Sequence, residues 1–146
     1  MKPPFPSPVA EWHNDTYPAL DPTRPEVSAR GKTIVITGGG TGIGRGMVEA
    51  FAQAGAATVV ITGRRLGPLK DTKKYIESKY ETRVQVFSAD VTDKTSMTSV
   101  AAKVGGWDIL IQNAGYLSQL GALANTDVDE WWKGYEVYPS FSRLHH

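Results

Sequence analysis

A glycine-rich stretch over residues 37–44, which reads Thr-Gly-Gly-Gly-Thr-Gly-Ile-Gly, is the part of the sequence best suited to chemistry. Glycine lacks a Cβ, so a phosphate can approach its backbone closely, and it adopts the left-handed dihedral angles of tight turns. A helix that begins in such a loop offers free N–H groups and a partial positive charge. The stretch therefore predicts a site for the pyrophosphate of a dinucleotide, although a glycine-rich turn without a ligand is the alternative. The residues expected at the pyrophosphate are Gly38, Thr41, Gly42, Ile43 and Gly44.

Three further groups of residues follow predicted strands. Arg64 and Arg65 come after the second strand, Asp90-Val91 after the third, and Asn113-Ala114-Gly115 after the fourth. The carboxyl ends of parallel strands share one edge of an open α/β sheet, and ligands bind there. We expect Asp90-Val91 at an adenine and Asn113-Ala114-Gly115 at a ribose.

The end of the second strand decides which nicotinamide cofactor is expected. An NAD site would place Asp or Glu there for the ribose hydroxyls, whereas this chain has Thr62-Gly63-Arg64-Arg65. Two arginines can pair with a 2′-phosphate, so the sequence favours NADP over NAD. The alternative is that both arginines are solvated loop residues.

Alternating strands and helices must position these groups. Residues 33–37, 57–62, 84–87 and 108–111 are short apolar runs that are typical of strands buried on both faces. The first predicted helix has Ile43, Met47, Phe51 and Ala54 at helical spacing and ends at Gly55. Three more helices are predicted: one over residues 66–80, one that begins after a cap at Thr92 or Asp93, and one over about 127–137. This order predicts the α/β class: a Rossmann-type, doubly wound parallel sheet that is incomplete, with about four strands.

The ends of the chain differ from this pattern. Seven of the nine prolines lie in the first 25 positions, and proline lacks the N–H donor that helices and sheets need. We therefore expect residues 1–31 to be an irregular, proline-rich N-terminal arm, which Trp12, Tyr17 and Leu20 could pin to the domain. The predicted dinucleotide-binding domain spans residues 32–137, and residues 138–146 form a separate tail.

Composition limits the classes of partner. Net charge is +1, so neither nucleic acid nor a membrane surface is expected as a partner. The chain has no cysteine and no apolar run of the ~18 residues that a membrane helix needs. It has no histidine and carboxylate spacing typical of a metal site. A cytoplasmic protein without metal is the expectation.

These motifs together resemble the short-chain dehydrogenase/reductase family. Residues 37–44 match its T-G-x-x-x-G-x-G signature, Asp90-Val91-Thr92 resembles its adenine-contacting segment, and Gln112-Asn113-Ala114-Gly115 resembles its N-N-A-G stretch with Gln in the first position. The resemblance covers residues 30–137. It implies a seven-stranded NAD(P)-binding fold, hydride transfer to or from a carbonyl or alcohol, and frequent dimers or tetramers.

The resemblance also implies catalytic residues that this chain does not match. Counting from Asn113, the catalytic Asn of the family falls at Tyr138, where the match ends. The catalytic Ser and the Tyr-x-x-x-Lys pair of the family follow a fifth strand, beyond this sequence. Tyr75 and Lys79 reproduce the pair's spacing, but they lie between strands two and three, where a surface helix pair is the better interpretation.

Three hypotheses follow from the resemblance. In the first, which is favoured, the chain is a truncated reductase that is NADP-dependent in its parental form and inactive alone. In the second, it is a cofactor-binding or regulatory module that pairs with a full-length relative. In the third, it is an active reductase with unfamiliar catalytic residues. No catalytic residue is therefore assigned and the substrate stays unknown. Strand four would be an open sheet edge, so we expect poor stability or an oligomer or partner that covers the edge.

Overall fold

The structure is a computed structural model that describes Pro6 and residues 16–137. Trp12, Tyr138 and the predicted tail over 138–146 lie outside the described residues. Strands and helices alternate along the described chain, and their bounds are β1 Thr33–Thr37, α1 Gly42–Gln53, β2 Thr58–Gly63, α2 Leu66–Glu77, β3 Arg83–Ser88, α3 Lys94–Val104, β4 Ile109–Ile111 and α4 Val128–Val137. Short 3-10 turns occur at Pro18–Leu20, Pro25–Val27 and Leu123–Asn125.

The four strands form one parallel sheet in the order β3-β2-β1-β4. Val35 at the centre of β1 pairs in register with Val60 on one side and Leu110 on the other. Because the chain moves outward from β1 to β3 and then returns to β4, the order of the strands reverses beside β1, which is where ligands bind in such sheets. The arrangement confirms the predicted Rossmann-type sheet.

The best-buried face of the sheet lies under α1 and α2. Its side chains alternate along the strands, as the pleat requires, and include Ile34, Ile36, Val59, Ile61 and Val84, all without exposed surface. Leu69 and Ile76 of α2 complete this cluster. This face contains most of the apolar core, and it fixes α1 and α2 against β1, β2 and β3.

The inward face of α1 differs from the prediction. Val48 and Ala52 are buried against the sheet, whereas Met47 and Phe51 are half-buried and Ile43 is 76% exposed. Residues at positions 44, 48 and 52 follow the i, i+4 spacing of one helical face. Ile43 lies one position outside that face, which leaves its side chain beside the glycine-rich loop.

The opposite face of the sheet is less covered. Met97 and Val100 of α3 are buried, and they line a small apolar cavity with Val35 and Leu110. The carboxylate of Asp93 begins α3 by accepting a hydrogen bond from the Thr95 amide, as predicted for the cap. Ile109 at the start of β4 is 37% exposed, so the sheet becomes less buried towards β4, as expected for a terminal strand.

The described part of the N-terminal segment is attached by its backbone. Ala29 is buried, and its amide donates to the Ala54 carbonyl at 2.8 Å, while Arg30 forms an isolated antiparallel bridge with Ala56. Tyr17 and Leu20 are 62% and 58% exposed. The prediction that Tyr17 and Leu20 pin the arm was therefore wrong, because Ala29 and its backbone bonds make the contact. None of the described helices combines the length and apolarity that a membrane span requires.

A cluster of polar side chains joins α1 to α2. The Tyr75 hydroxyl donates to Glu49 at 2.9 Å and accepts from the Lys79 ammonium at 2.6 Å, and the Tyr80 hydroxyl also donates to Glu49 at 3.1 Å. The guanidinium of Arg45 lies 4.6 Å from the Tyr75 ring centroid. The hydrogen bond from Tyr75 holds the pKa of Glu49 below its ordinary value.

Removing the Tyr75 hydroxyl should make the free energy of unfolding depend less on pH in the acidic range. A carboxyl whose pKa is lowered by folding stabilises the folded state above its unfolded pKa, and this contribution is lost as pH falls through the lower, folded pKa. Tyr75→Phe should therefore cost about 1 kcal/mol near pH 7, and the difference from wild type should shrink below the ordinary Glu49 pKa of 4.5.

Urea denaturation from pH 3 to pH 7 measures this effect. Tyr135→Phe is the matched control, because Tyr135 is 55% exposed on α4, away from Glu49. A cost for Tyr75→Phe that stays the same at all pH values would contradict the assignment.

Candidate functional site

A cleft of about 470 Å³ opens at the carboxyl edge of the sheet. The loop after β1 and the ends of β2, β3 and β4 all contribute to it, because parallel strands bring their carboxyl ends to one edge. Eleven of the twelve predicted site residues line the cleft: Gly38, Thr41, Ile43, Gly44, Arg64, Arg65, Asp90, Val91, Asn113, Ala114 and Gly115. The twelfth, Gly42, is the first residue of α1.

The glycine-rich loop depends on two glycines with positive φ. Gly38 has φ +70° and Gly42 has φ +54°, values at which side-chain-bearing residues are strained. Thr41 is extended and precedes α1 as its N-cap. The first turn of α1 therefore presents its amides at the cleft, which favours an anion.

Gly44 is required for a different reason, the close approach of backbone. A Cβ at Gly44 would meet the Gly38 carbonyl oxygen, and it would lie 2.6 Å from Asn113 Nδ2 and 2.9 Å from the Gly38 carbonyl carbon. Gly39 is similarly confined, because a Cβ there would lie 2.5 Å from Ile61 Cγ2. The loop is thus packed against β2 below and against Asn113 beside it.

Thr37 and Asn113 join the loop after β1 to the turn after β4. Thr37 Oγ1 is buried and accepts hydrogen bonds from the amides of Asn113 and Ala114 at 3.1 and 3.0 Å. Asn113 Nδ2 donates to the Thr37 carbonyl at 2.9 Å. These contacts fix the Asn-Ala-Gly backbone next to Gly38 and Gly44, so two walls of the cleft are built as one unit.

The wall formed by β2 and β3 is charged. The Arg64 carbonyl accepts a hydrogen bond from Ser88 Oγ at 3.2 Å, which joins the ends of the two strands. Asp90 accepts from the amide and the hydroxyl of Thr92 at 2.9 and 2.8 Å. The hydrogen bond from the Thr92 amide, followed by that from its hydroxyl, lowers the pKa of Asp90, and the charge of Arg64 adds to this effect. Asp90 is therefore a carboxylate acceptor at neutral pH.

Sequence patterns did not identify several residues that line the cleft. Tyr116, Lys133 and Glu136 contribute to its far side, and the latter two reach it from α4. Thr62 also lines it, and Thr62 Oγ1 is, among the described side chains, a buried polar atom without a hydrogen-bond partner. Tyr116 directly follows the Asn-Ala-Gly stretch, which was a usable signal, whereas the contribution of α4 depends on tertiary packing.

Tyr75 and Lys79 are absent from the lining of the cleft. Their contacts are with Glu49 of α1, in the polar cluster that joins α1 to α2. Within residues 16–137 no group of three or more histidine, cysteine or acidic residues is arranged to hold a metal ion.

Known proteins resemble this chain in sequence. A family model described as short chain dehydrogenase matches residues 32–138. The short chain dehydrogenase pigC of Monascus ruber is 37% identical over 131 residues, which cover 83% of this chain and 42% of that protein. A short chain dehydrogenase of Pseudocercospora fijiensis is 39% identical over 127 residues, which cover 84% of this chain and 41% of that protein.

Solved structures resemble it in fold. L-Sorbose reductase from Gluconobacter frateurii, in a complex with NADPH and L-sorbose, superposes with a TM-score of 0.70 and is 30% identical, over 80% of this chain and 46% of that chain. A structure described as a short chain dehydrogenase/reductase family protein gives a TM-score of 0.65 at 31% identity, over 75% of this chain and 44% of that chain. The chain thus spans less than half the length of each of these relatives.

Two glycines of α1 should respond in opposite ways to alanine. Gly44→Ala should lower the free energy of unfolding by about 1–3 kcal/mol, because the new Cβ overlaps the Gly38 backbone. Gly46→Ala should raise it by about 0.5–1 kcal/mol, because Gly46 is exposed, has no atom within 4 Å of an added Cβ, and lies inside a helix. Urea denaturation of both variants measures the difference, and equal effects would show that the loop relaxes around Gly44.

Proposed function

The chain belongs to the short-chain dehydrogenase family, and on that premise we propose that residues 32–137 bind NADP(H) for an oxidoreductase that interconverts a carbonyl and an alcohol. The proposed boundaries of this domain, at residues 32 and 137, are those that the sequence predicts. The observation that carries the proposal is one cleft in which a glycine-lined helix N-terminus and the Arg64 end of β2 face each other. The bound nicotinamide would supply the hydride.

The residues of the cleft fit the parts of this cofactor. The backbone of Gly38, Thr41, Gly42, Ile43 and Gly44 would hold the pyrophosphate, in a loop so closely packed at Gly44 that a Cβ there would overlap the Gly38 backbone. The Asp90 carboxylate is a hydrogen-bond acceptor suited to the amino group of adenine, with Val91 beside it. The backbone of Asn113, Ala114 and Gly115, held by Thr37, would contact a ribose.

NADP is proposed over NAD because of the charge at the end of β2. Residues 62–65 include two arginines and no acid, and guanidinium groups bind phosphate through several N–H donors. The NADPH complex of the sorbose reductase, a 30% identical relative, supports this preference. Both arginines are exposed and line the cleft, so neither needs to be released from a buried partner.

Substitution of Arg64 tests the cofactor preference. Arg64→Ala should weaken binding of NADPH by about 10- to 100-fold, the range expected for losing charge-assisted hydrogen bonds to a phosphate, and should change NADH binding by less than about threefold. Titration of nicotinamide fluorescence measures both constants.

Arg65→Ala is the matched control within the same segment. Arg65 is the N-cap residue of α2 rather than an end-of-strand residue, so its loss should have a smaller effect. An unchanged NADPH constant in both single variants and in the double variant would sink the NADP assignment. A wild-type chain that binds neither nucleotide would refute the proposed function itself.

We further propose that residues 1–146, taken alone, bind cofactor without turnover. The catalytic Ser and Tyr-x-x-x-Lys pair implied by the family resemblance have no counterpart among those described residues that line the cleft. Tyr75 and Lys79 reproduce the spacing of that pair. The Tyr75 hydroxyl, however, donates to Glu49 and accepts from Lys79 in the polar cluster that joins α1 to α2. The residues proposed to hold and orient the cofactor thus line the cleft, and no residue is assigned to move the proton.

A turnover assay with NADPH and a panel of aldehydes and ketones tests this statement. The expected result is fluorescence-detected binding with no oxidation of NADPH above the rate of a heat-denatured control. Carbonyl-dependent oxidation by the purified chain, lost in Gly44→Ala, would contradict it and favour an active reductase with unfamiliar residues.

A second candidate function is a cofactor-binding or regulatory module that pairs with a full-length relative. The observation in its favour is the partly exposed β4, whose Ile109 is 37% exposed at the end of the sheet. A covering strand from a partner or a second copy would satisfy this edge. Size-exclusion chromatography of the chain, alone and mixed with a full-length relative, separates this function from that of an isolated half-domain.

A further inference from the structure

Tyr116 connects two parts of the cleft that are distant in sequence. Its ring lies under the Arg64 guanidinium, with 5.8 Å between Arg64 Cζ and the ring centroid. Its hydroxyl donates a hydrogen bond to Glu130 of α4. Both Arg64 and Tyr116 line the cleft, so Tyr116 stands between the end of β2 and α4.

Contacts with α4 hold the Tyr116 ring in place. Glu130 also accepts from the Lys133 ammonium at 3.1 Å, so the acceptor of the Tyr116 hydroxyl is itself bound. Glycine at position 134 faces the same residue, because a Cβ there would lie 3.4 Å from the Tyr116 carbonyl oxygen and 4.0 Å from Tyr116 Cδ1. The hydrogen bond that the Tyr116 hydroxyl donates to Glu130 raises the pKa of Tyr116.

Arg64 is restrained at both ends. Its backbone is tied to β3 through Ser88, and its guanidinium meets the Tyr116 ring across the cleft. A contact between a guanidinium and an aromatic ring uses the face of the cation and leaves N–H donors at its edge for phosphate oxygens. These two contacts reduce the conformational freedom with which Arg64 approaches its proposed ligand.

We propose that Tyr116 is a positioning residue for recognition of the 2′-phosphate, acting through Arg64. The proposal rests on the proposed function, because it assigns Tyr116 to the same NADP(H) site. Pre-ordering one long side chain improves binding by about three- to tenfold, and here the gain applies to NADPH and not to NADH. Tyr116 thus contributes to the choice between the two cofactors without itself being the group that binds the phosphate.

Two variants of Tyr116 separate the ring from the hydroxyl. Tyr116→Leu removes both, and it should lower the ratio of NADH to NADPH dissociation constants about three- to tenfold, through weaker NADPH binding. Tyr116→Phe keeps the ring over which Arg64 lies and loses only the hydrogen bond to Glu130, so it should lower the ratio by no more than about twofold. Tyr135→Leu is the control, because Tyr135 is a 55% exposed aromatic residue of α4 that does not line the cleft. Far-ultraviolet circular dichroism shows whether each variant is folded.

A double variant distinguishes positioning from a general effect on the fold. In the Arg64→Ala background, Tyr116→Leu should leave the cofactor ratio unchanged, because the residue through which it acts is gone. For a measurement that needs no variant at Tyr116, the Arg64 side-chain resonances of wild type, identified by their loss in Arg64→Ala, should carry the shift of an adjacent aromatic ring. They should also respond to 2′,5′-ADP and not to 5′-AMP.

Specific results would overturn the proposal. A folded Tyr116→Leu variant with the wild-type ratio, or one that binds NADPH more tightly, would do so while the NADP(H) site itself stands. Arg64 resonances without a ring shift would have the same meaning. A wild-type chain that binds neither NADPH nor 2′,5′-ADP would instead remove the proposed function, and the role of Tyr116 with it.

Discussion

The buried hydroxyl of Thr37 is the contact on which the site depends. It lies at the end of the inner strand β1 and accepts hydrogen bonds from the amides of Asn113 and Ala114, which follow the neighbouring strand β4. The Gly38 carbonyl and the Asn113 side chain in turn lie so close to Gly44 that only glycine fits there. One threonine, one asparagine and one glycine thus hold the start of α1 and the turn after β4 in a fixed relation. This fixed relation sets the shape of the cleft, because the other walls of the cleft are attached to the start of α1 and to the turn after β4.

Burial is unequal across the sheet, and this has consequences for the domain. The face under α1 and α2 is fully buried around Ile36, Val59 and Ile61, while β4 is only half-buried. The part of the chain that binds phosphate in our proposal is therefore built on the most buried region. The part nearest to β4 is built on the least buried strand, in a chain that spans less than half the length of the relatives it matches.

Much of the fold could be predicted from the sequence, because apolar β-branched runs and glycine stops are local signals. The face of α1 could not, since Ile43 has the spacing of a core residue but belongs to the loop side of the helix, where it is 76% exposed. The attachment of the N-terminal segment through Ala29 was missed for a related reason, because backbone hydrogen bonds leave no mark in side-chain patterns. Motifs at strand ends predicted eleven of the residues that line the candidate cleft, but the Arg64–Tyr116 contact depends on where α4 packs.

Tyr75 and Lys79 show how little local geometry says about function. Their side chains are in direct hydrogen-bond contact at 2.6 Å, with a carboxylate on the other side of the hydroxyl. A template made of a tyrosine and a neighbouring lysine, laid on this molecule, would accept the pair as a proton-transfer centre. The atoms are of the right kind and close together, yet the cleft opens elsewhere. In sheets of this class, the strand that a residue follows and the sheet edge that it reaches say more about its function than its immediate neighbours do.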